Sequence, residues 1–200
     1  MKIAVVRETA PGETRVAATP ETVKKFVGLG ADVAVESGAG QHASISDADF
    51  EAAGATVAPR EKVLDGAEII LAINGPDPGS LNAARAGALL VGALDPTRQR
   101  ESIEGYASAG LEALAMEWMP RITRAQSMDI LSSQSNLAGY KAVVDGAAAY
   151  GRAFPMMMTA AGTISAARVF VMGVGGAGLQ AIATARRLVA QVSATHVRSA

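Results

Sequence analysis

The sequence contains no cysteine among its 200 residues, which excludes disulfide bridges, thiolate metal ligands and cysteine nucleophiles. It also lacks an excess of one charge, since 18 basic residues stand against 19 acidic ones and leave a formal net charge of -1. Proteins that hold nucleic acids through phosphate contacts usually carry a basic patch or stripe. We therefore expect no nucleic-acid partner, and we predict no metal site.

Long hydrophobic runs are missing as well. The longest apolar stretch without charge lies between Arg168 and Arg186, where four glycines and Gln180 interrupt it. A membrane-spanning helix needs about 20 predominantly apolar residues, so we predict no direct membrane span. With half of its residues apolar and 18% charged, the chain has the composition of a folded globular protein.

Short runs rich in Val and Ile alternate with helical patterns in the first part of the chain. This alternation indicates βαβ units and a mostly parallel sheet, and hence an α/β, Rossmann-like domain. The predicted strands are Ile3–Val6, Asp32–Val35, Ile69–Ile73, Leu89–Val91 and Leu111–Met116.

Helices are predicted where a capping residue precedes an apolar pattern. Thr19 and Pro20 begin one such helix, which we expect to end at Gly30. The other predicted helices of this part are a short one over Asp49–Ala53 capped by Ser46, one after Pro78 and one after Pro96.

The rest of the chain divides into a polar segment, a helix and a second α/β unit. Residues 117–132 show neither strand alternation nor a helical stripe, and long polar loops of this kind are often functional. The helix is predicted over 133–150, with Leu137, Tyr140, Val143 and Val144 on one side. We expect three parts: an N-terminal α/β domain over 1–132, a connecting helix within 133–155 and an incomplete Rossmann dinucleotide-binding domain over 156–200.

Three consecutive methionines, Met156–Met158, stand at the start of the last of these parts. Methionine is flexible and fills irregular gaps between packed elements. We interpret this run as packing material at a domain junction.

The motif that carries chemistry is the glycine pattern G-x-G-x-x-G at 173–178. It follows the predicted strand Val169–Met172 and precedes a helical pattern, which is the context that a dinucleotide site requires. Gly173 is expected to make the tight turn, Gly175 to let the backbone approach a pyrophosphate, and Gly178 to allow close helix–strand packing. The helix N-terminus then presents N–H groups and a positive dipole end to the phosphates.

The second half of this fingerprint departs from expectation. An Asp or Glu is expected about 20 residues on, at the end of the next strand, where it holds the adenosine ribose hydroxyls. The predicted strand Gln191–Thr195 is followed instead by His196. Because a neutral imidazole accepts only one hydrogen bond, we predict weak NAD(H) binding by this chain. The alternative is that His196 and Arg198 tolerate a 2′-phosphate. Val189 also stands where a helix-ending glycine is favoured.

Several segments together resemble one protein family. They are Arg7-Glu8, PGETRVA at 11–17, MPRITRAQSMD at 119–129, SQSNLAGY at 133–140 and TAAGT at 159–163. These segments resemble the NAD(H)-binding component of proton-translocating NAD(P) transhydrogenases, which is the first portion of the alpha subunit, and the resemblance covers the whole chain. Alanine dehydrogenase is the close relative that shares the fold.

The resemblance implies roles for the polar segment at the nicotinamide end of NAD(H). It places Arg121, Gln126 and Asp129 there as cofactor-binding and catalytic residues that face an NADP(H)-binding partner. Ser132 is similar to the family's residue beside the nicotinamide carboxamide. Without the resemblance, the polar segment is explained equally well as a solvated loop in which Arg121 and Asp129 pair with each other.

The resemblance also implies a cofactor site, partners and a location. The implied cofactor-binding residues of the second unit are Gly173, Gly175, Gly176, Gly178, His196, Val197 and Arg198. The implied reaction is direct hydride transfer between NADH on this chain and NADP⁺ on the partner subunit, coupled to proton movement by a membrane subunit. The chain is then expected to form a homodimer that is cytoplasmic and peripheral to the inner membrane.

The residue types of the polar segment support this reaction independently of the resemblance. Oxidising an amino acid or an alcohol removes a proton as well as a hydride, so it needs a general base. Transfer between two nicotinamide rings needs only their alignment. The polar segment 117–132 contains no histidine or lysine, which favours orientation over proton transfer.

Two alternatives remain open. The first is an alanine dehydrogenase-like oxidoreductase, whose members use a Lys and a His beside an early Arg. Arg15 fits the early Arg, but residues 73–76 contain no Lys and residues 91–94 no His. The second is a truncated, catalytically inactive fragment, because only one β-α-β unit follows Arg168. In that case the strands around Phe170 and Val192 are expected to expose apolar faces.

Overall fold

The computed structural model describes residues 1–120 and 122–197. Arg121 and Arg198, both predicted as cofactor-binding residues, lie outside the described residues. The chain folds into two compact units that meet in the sequence at Met128 and Asp129. Within the described residues, no helix combines the length and the apolar character needed to cross a bilayer.

The first unit is built on a parallel sheet of six strands, β1 to β6, in the order β3-β2-β1-β4-β5-β6. The strands are Lys2–Val5, Asp32–Glu36, Thr56–Ala58, Ile69–Asn74, Leu89–Ala93 and Glu112–Ala115. Four helices, α1 to α4, accompany them at Pro20–Gly28, Asp47–Ala52, Arg60–Leu64 and Arg100–Ser108. This strand order is that of a doubly wound sheet, which confirms the predicted Rossmann-like α/β fold.

The central strands of this unit are buried on both sides, as parallel sheets require. Successive residues of β1 point to opposite faces: Ile3 packs against one core group with Val23 and Phe50. Ala4 packs against the other, which contains Leu90 and Tyr106. Ordinary period-2 alternation therefore divides the apolar side chains between two layers of core.

Local capping explains where the helices begin and end. The Thr19 side chain accepts a hydrogen bond from the Thr22 N–H at the start of α1, with Pro20 in the first helical position. Gly30, at φ +84°, follows the end of α1 as predicted. Ser46 and Asp49 form a reciprocal capping box on α2.

The structure differs from the sequence prediction of this unit at three elements. The helix expected after Pro78 is wrong: only a single 3-10 turn forms there, over Pro78–Leu81. Gly79 and Ser80 favour turns over helix interiors, so propagation is weak. Strand β3 and helix α3, which are three and five residues long, were not predicted from the sequence. Elements of that length are too short to show a reliable period.

The second unit contains α5 at Ile130–Ala149, a hairpin of β7 and β8, and a β-α-β unit. In the β-α-β unit, β9 (Arg168–Met172) pairs in parallel with β10 (Gln191–Thr195), and α6 spans Gly176–Arg187 between them. Helix α5 packs against α6. The exposed face of β9 carries Phe170 and Met172, which confirms the expected exposure of apolar side chains.

The methionine run does not serve as packing material, so that interpretation was wrong. Met157 and Met158 belong to β7 (Met157–Thr159), which pairs antiparallel with β8 (Gly162–Ile164). Every residue of the two strands is exposed, and 79% of Met158 is accessible to solvent. A two-stranded hairpin is marginally stable alone, so an exposed apolar hairpin of this kind calls for a covering surface.

Helix α5 buries only part of the side that its large residues predicted. Val143 is buried and Val144 half-buried, but Leu137 and Tyr140 are exposed, and Gly139 is buried in their place. The buried side is the one with small residues because the backbone of α6 approaches closely there.

Helix α6 ends in a Schellman motif that is built on an unfavourable residue. The Ala190 N–H donates to the Ala185 carbonyl, and the Val189 N–H donates to the Arg186 carbonyl. Val189 sits at φ +61°, in the left-handed region that the motif requires. A β-branched side chain is strained there, and glycine is the residue this position favours.

We predict that Val189→Gly raises the free energy of unfolding by about 1 kcal/mol, because it removes backbone strain at the end of α6. Urea unfolding followed by circular dichroism measures the change. Ala190→Gly is the matched control, since Ala190 has no positive φ, and it should be destabilising or neutral. A Val189→Gly variant no more stable than the wild type would contradict this account of the helix end.

Candidate functional site: the glycine loop of the second unit

The three glycines of the motif stand in three different environments. Gly173 has φ +95°, a conformation that side chains rarely adopt, and it turns the chain at the end of β9. A Cβ on Gly178 would lie 1.8 Å from the Gly173 carbonyl oxygen, so no side chain fits there. A Cβ on Gly175 would meet no atom of the described residues within 4 Å. The backbone is therefore open at Gly175 and tightly packed at Gly178.

The N-terminus of α6 carries no side-chain cap from the described residues. Its N-cap residue is Gly175, which has no side chain to accept the N–H bonds of the first turn. Helix N-termini of this kind favour an anion because their N–H groups and the helix dipole both point toward it. The loop is thus chemically suited to a diphosphate.

A cleft of about 580 Å³ opens in front of the loop. One wall is the glycine loop with the first turns of α6, and the other is a stripe of small residues on α5: Ser135, Ala138, Gly139 and Ala142. A Cβ on Gly139 would lie 2.0 Å from the Ala177 carbonyl oxygen. The two helices are therefore in backbone contact, and Gly139 is required for that contact.

His196 lies directly beside the glycine loop. Its Nδ1 accepts a hydrogen bond from the Val174 N–H at 3.3 Å. The Gly173 N–H donates to the Thr195 carbonyl at 2.9 Å, which places the end of β10 against the turn. The residue that replaces the expected carboxylate is thus in the expected place. Val197, the next residue, is almost fully exposed.

The described residues of the polar segment 117–132 are more ordered than expected. One 3-10 turn, Met116–Trp118, overlaps its start, a second covers Thr123–Met128, and α5 begins within it at Ile130. Glu117 anchors the start of the segment to the end of β5. Its carboxylate accepts hydrogen bonds from the N–H groups of Leu94, at 3.2 Å, and Asp95. Ala125 is buried and Gln126 is exposed.

Asp129 and Ser132 belong to the start of α5. The Asp129 side chain caps the helix by accepting hydrogen bonds from the N–H groups of Leu131 and Ser132. The Ser132 hydroxyl donates to the other carboxylate oxygen at 2.6 Å. Both residues therefore have a local role in α5, and the carboxylate fixes the orientation of the Ser132 hydroxyl.

The structure brings two groups of predicted residues together. The four predicted glycines form the loop, and His196 lies beside it. Asp129 and Ser132 are hydrogen-bonded to each other at the start of α5. Gln126 lies in the first unit. Sequence analysis missed Ser135 and Gly139 on the facing wall of the cleft. A glycine inside the helical pattern of α5 was the available signal, because such a residue usually marks a close backbone approach.

A second polar group lies in the first unit, at the carboxyl ends of the parallel neighbours β1 and β4, where the strand order of the sheet reverses. Glu8 accepts hydrogen bonds from the N–H groups of Ile73, at 2.6 Å, and Asn74, at 3.2 Å. Arg15 donates from Nε and Nη2 to the two carboxylate oxygens of Glu13, at 2.7 and 2.6 Å. These bonds from Arg15, helped by one from Asn74, hold the pKa of Glu13 at about 2. Arg15, the candidate for an early substrate-binding Arg, is therefore already paired with a carboxylate.

A doubly wound sheet followed by a strand–glycine loop–helix unit defines a class of two-unit α/β proteins suited to dinucleotides. Family models place the chain within that class. Residues 4–138 match the alanine dehydrogenase/PNT N-terminal domain, and residues 142–200 match the C-terminal domain of the same family. The chain belongs to the alanine dehydrogenase/PNT family.

The relatives that the chain matches include a transhydrogenase subunit and an alanine dehydrogenase. The chain is 55% identical to the first portion of NAD(P) transhydrogenase subunit alpha of Rhodospirillum rubrum, over 100% of this chain and 54% of that protein. It is 35% identical to alanine dehydrogenase of Halomonas elongata, over 96% of this chain and 53% of that protein. The crystal structure of transhydrogenase from Sinorhizobium meliloti matches with a TM-score of 0.94 and 54% identity, over 99% of this chain and 57% of that one. The chain thus spans about half the length of the relatives it matches.

We predict opposite effects for alanine at two glycines of α5. Gly139→Ala should lower the free energy of unfolding by about 1–3 kcal/mol, because its Cβ overlaps the Ala177 carbonyl. Gly146→Ala, where no atom of the described residues lies within 4 Å, should be neutral or stabilising by up to about 1 kcal/mol. Urea unfolding of both variants tests the pair. Equal stability of the two would contradict the close contact between α5 and α6.

Proposed function

We propose that this chain is the NAD(H)-binding part of a proton-translocating transhydrogenase. The observation that carries the proposal is the open cleft at the glycine loop, where Gly175 leaves room for a diphosphate and α6 offers an uncapped N-terminus. The higher identity to a transhydrogenase subunit than to an alanine dehydrogenase supports the same assignment.

The proposed reaction is direct hydride transfer from NADH on this chain to NADP⁺ on a partner subunit. The nicotinamide carries the hydride, so this chain has to orient the ring and exclude side reactions. We assign that orientation to Arg121, Gln126 and Asp129, with Ser132 at the carboxamide. The ordered Asp129–Ser132 pair supports this assignment, since a hydroxyl fixed by a carboxylate presents a defined oxygen to a ligand.

The proposed partners follow from the same family. They are an NADP(H)-binding subunit, a membrane subunit that moves protons, and a second copy of this chain. Such an assembly would hold the chain in the cytoplasm at the inner membrane. The exposed β7–β8 hairpin supports the homodimer, because its apolar side chains gain most when another protein surface covers them.

An alanine dehydrogenase-like activity is the second candidate, favoured by the presence of Arg15. Two contacts weigh against it. The Nε–Nη2 edge of Arg15 is taken up by Glu13. The end of β4 carries Asn74, whose side chain donates to Glu13 at 3.0 Å. Neither group supplies the base that alanine oxidation requires.

Hydride transfer with a purified NADP(H)-binding subunit tests the proposal. We expect transfer, with weak NADH binding, and we expect Gly175→Val to weaken NADH binding about 10-fold or more by blocking the phosphate contacts. Gly151→Val is the matched control, since a Cβ at Gly151 also meets no described atom within 4 Å but the residue does not line the cleft. Oxidation of L-alanine with NAD⁺ would instead identify a dehydrogenase, and complete inactivity with no NADH binding would contradict the proposal.

A further inference from the structure

We propose that the cleft accepts NADP(H) as well as NAD(H), because His196 preserves a structural contact of the glycine loop while removing the charge that excludes a 2′-phosphate. This inference rests on the proposed function, since it concerns the selectivity of the same dinucleotide site. Two observations carry it: the hydrogen bond between His196 and the loop, and the charge of the second unit.

The hydrogen bond fixes the chemical form of the imidazole. Nδ1 of His196 accepts from the Val174 N–H at 3.3 Å, so this nitrogen carries no proton. In a neutral imidazole the proton then resides on Nε2. The side chain is exposed, and its other ring nitrogen is therefore a hydrogen-bond donor without negative charge.

A donor and a carboxylate select different dinucleotides. A carboxylate at the end of the second strand accepts hydrogen bonds from the adenosine ribose hydroxyls, and it repels a phosphate on the 2′-oxygen. That repulsion makes such a site selective for NAD(H) over NADP(H). An Nε2–H donor hydrogen-bonds to a ribose hydroxyl or to a phosphate oxygen alike, so it provides no such repulsion.

Carboxylates that would repel a 2′-phosphate are scarce in the second unit. Residues 129–200 contain six Lys and Arg residues against two Asp residues, a net charge of +4, although the whole chain has -1. Both carboxylates are already engaged: Asp129 caps α5 and Asp145 pairs with Lys141. A 2′-phosphate adds about 1.5 to 2 negative charges, and neither of these carboxylates lines the cleft to repel it.

Four versions of the full chain separate the effect of the hydrogen bond to the Val174 N–H from the effect of charge at residue 196. They are the wild type, His196→Asp, His196→Asn and His196→Ala, each titrated with NADH and with NADPH. Asp and Asn have nearly the same shape, and either has a side-chain oxygen able to accept the Val174 N–H. They differ in charge, and Asn carries an uncharged N–H donor in place of the second carboxylate oxygen. The readout is the ratio of the two dissociation constants, which a loss of folding would not shift selectively.

We expect the wild type and His196→Asn to bind the two dinucleotides within about 10-fold of each other, and His196→Asp to prefer NADH by about 100-fold. His196→Ala should weaken both without changing their ratio. A wild type that prefers NADH by about 100-fold would overturn the inference and leave the proposed function standing. The same conclusion would follow if His196→Asp and His196→Asn showed equal ratios of the two dissociation constants. A wild type that binds neither would overturn the proposed function itself.

Discussion

The candidate site depends on a steric constraint: three backbone segments of the second unit approach so closely that side chains are excluded between them. Gly178 faces the Gly173 carbonyl within the loop, and Gly139 of α5 faces the Ala177 carbonyl of α6. Each contact leaves less space than one methyl group requires. The loop, the start of α6 and the middle of α5 are therefore held in one arrangement, and the cleft is the space that remains in front of them.

This constraint explains why the chemistry of the cleft is mostly that of the backbone. Small residues form most of both walls, so few side chains cover the backbone of the loop and the first turn of α6. Anion binding at such a place draws on the helix N-terminus and needs no charged side chain. Ser135 on α5 lines the cleft, and His196 after β10 is the residue to which we assign dinucleotide selectivity. The proposed binding of a diphosphate is accordingly sensitive to the size of a few residues.

Local signals in the sequence predicted the elements that depend on local chemistry. Thr19-Pro20 and Ser46 mark helix starts, and the glycine motif after a buried strand marks the loop, since each acts through its own backbone. Features that depend on distant partners were not predictable. The packing side of α5 is set by the approach of α6, so Leu137 and Tyr140 are exposed although they are its large apolar residues. The fingerprint predicted the place of His196, but not that its side chain would accept the Val174 N–H from 22 positions away in sequence.

The central claim is that the glycine loop of the second unit holds the diphosphate of a nicotinamide dinucleotide. Hydrogen–deuterium exchange of the full chain, with and without saturating NADH, tests it most directly because it reports on individual backbone N–H groups. The account predicts slower exchange in peptides that cover residues 173–180, with α1 and β2 of the first unit unchanged. Unchanged exchange at the loop under saturating NADH, or protection confined to the first unit, would contradict the claim.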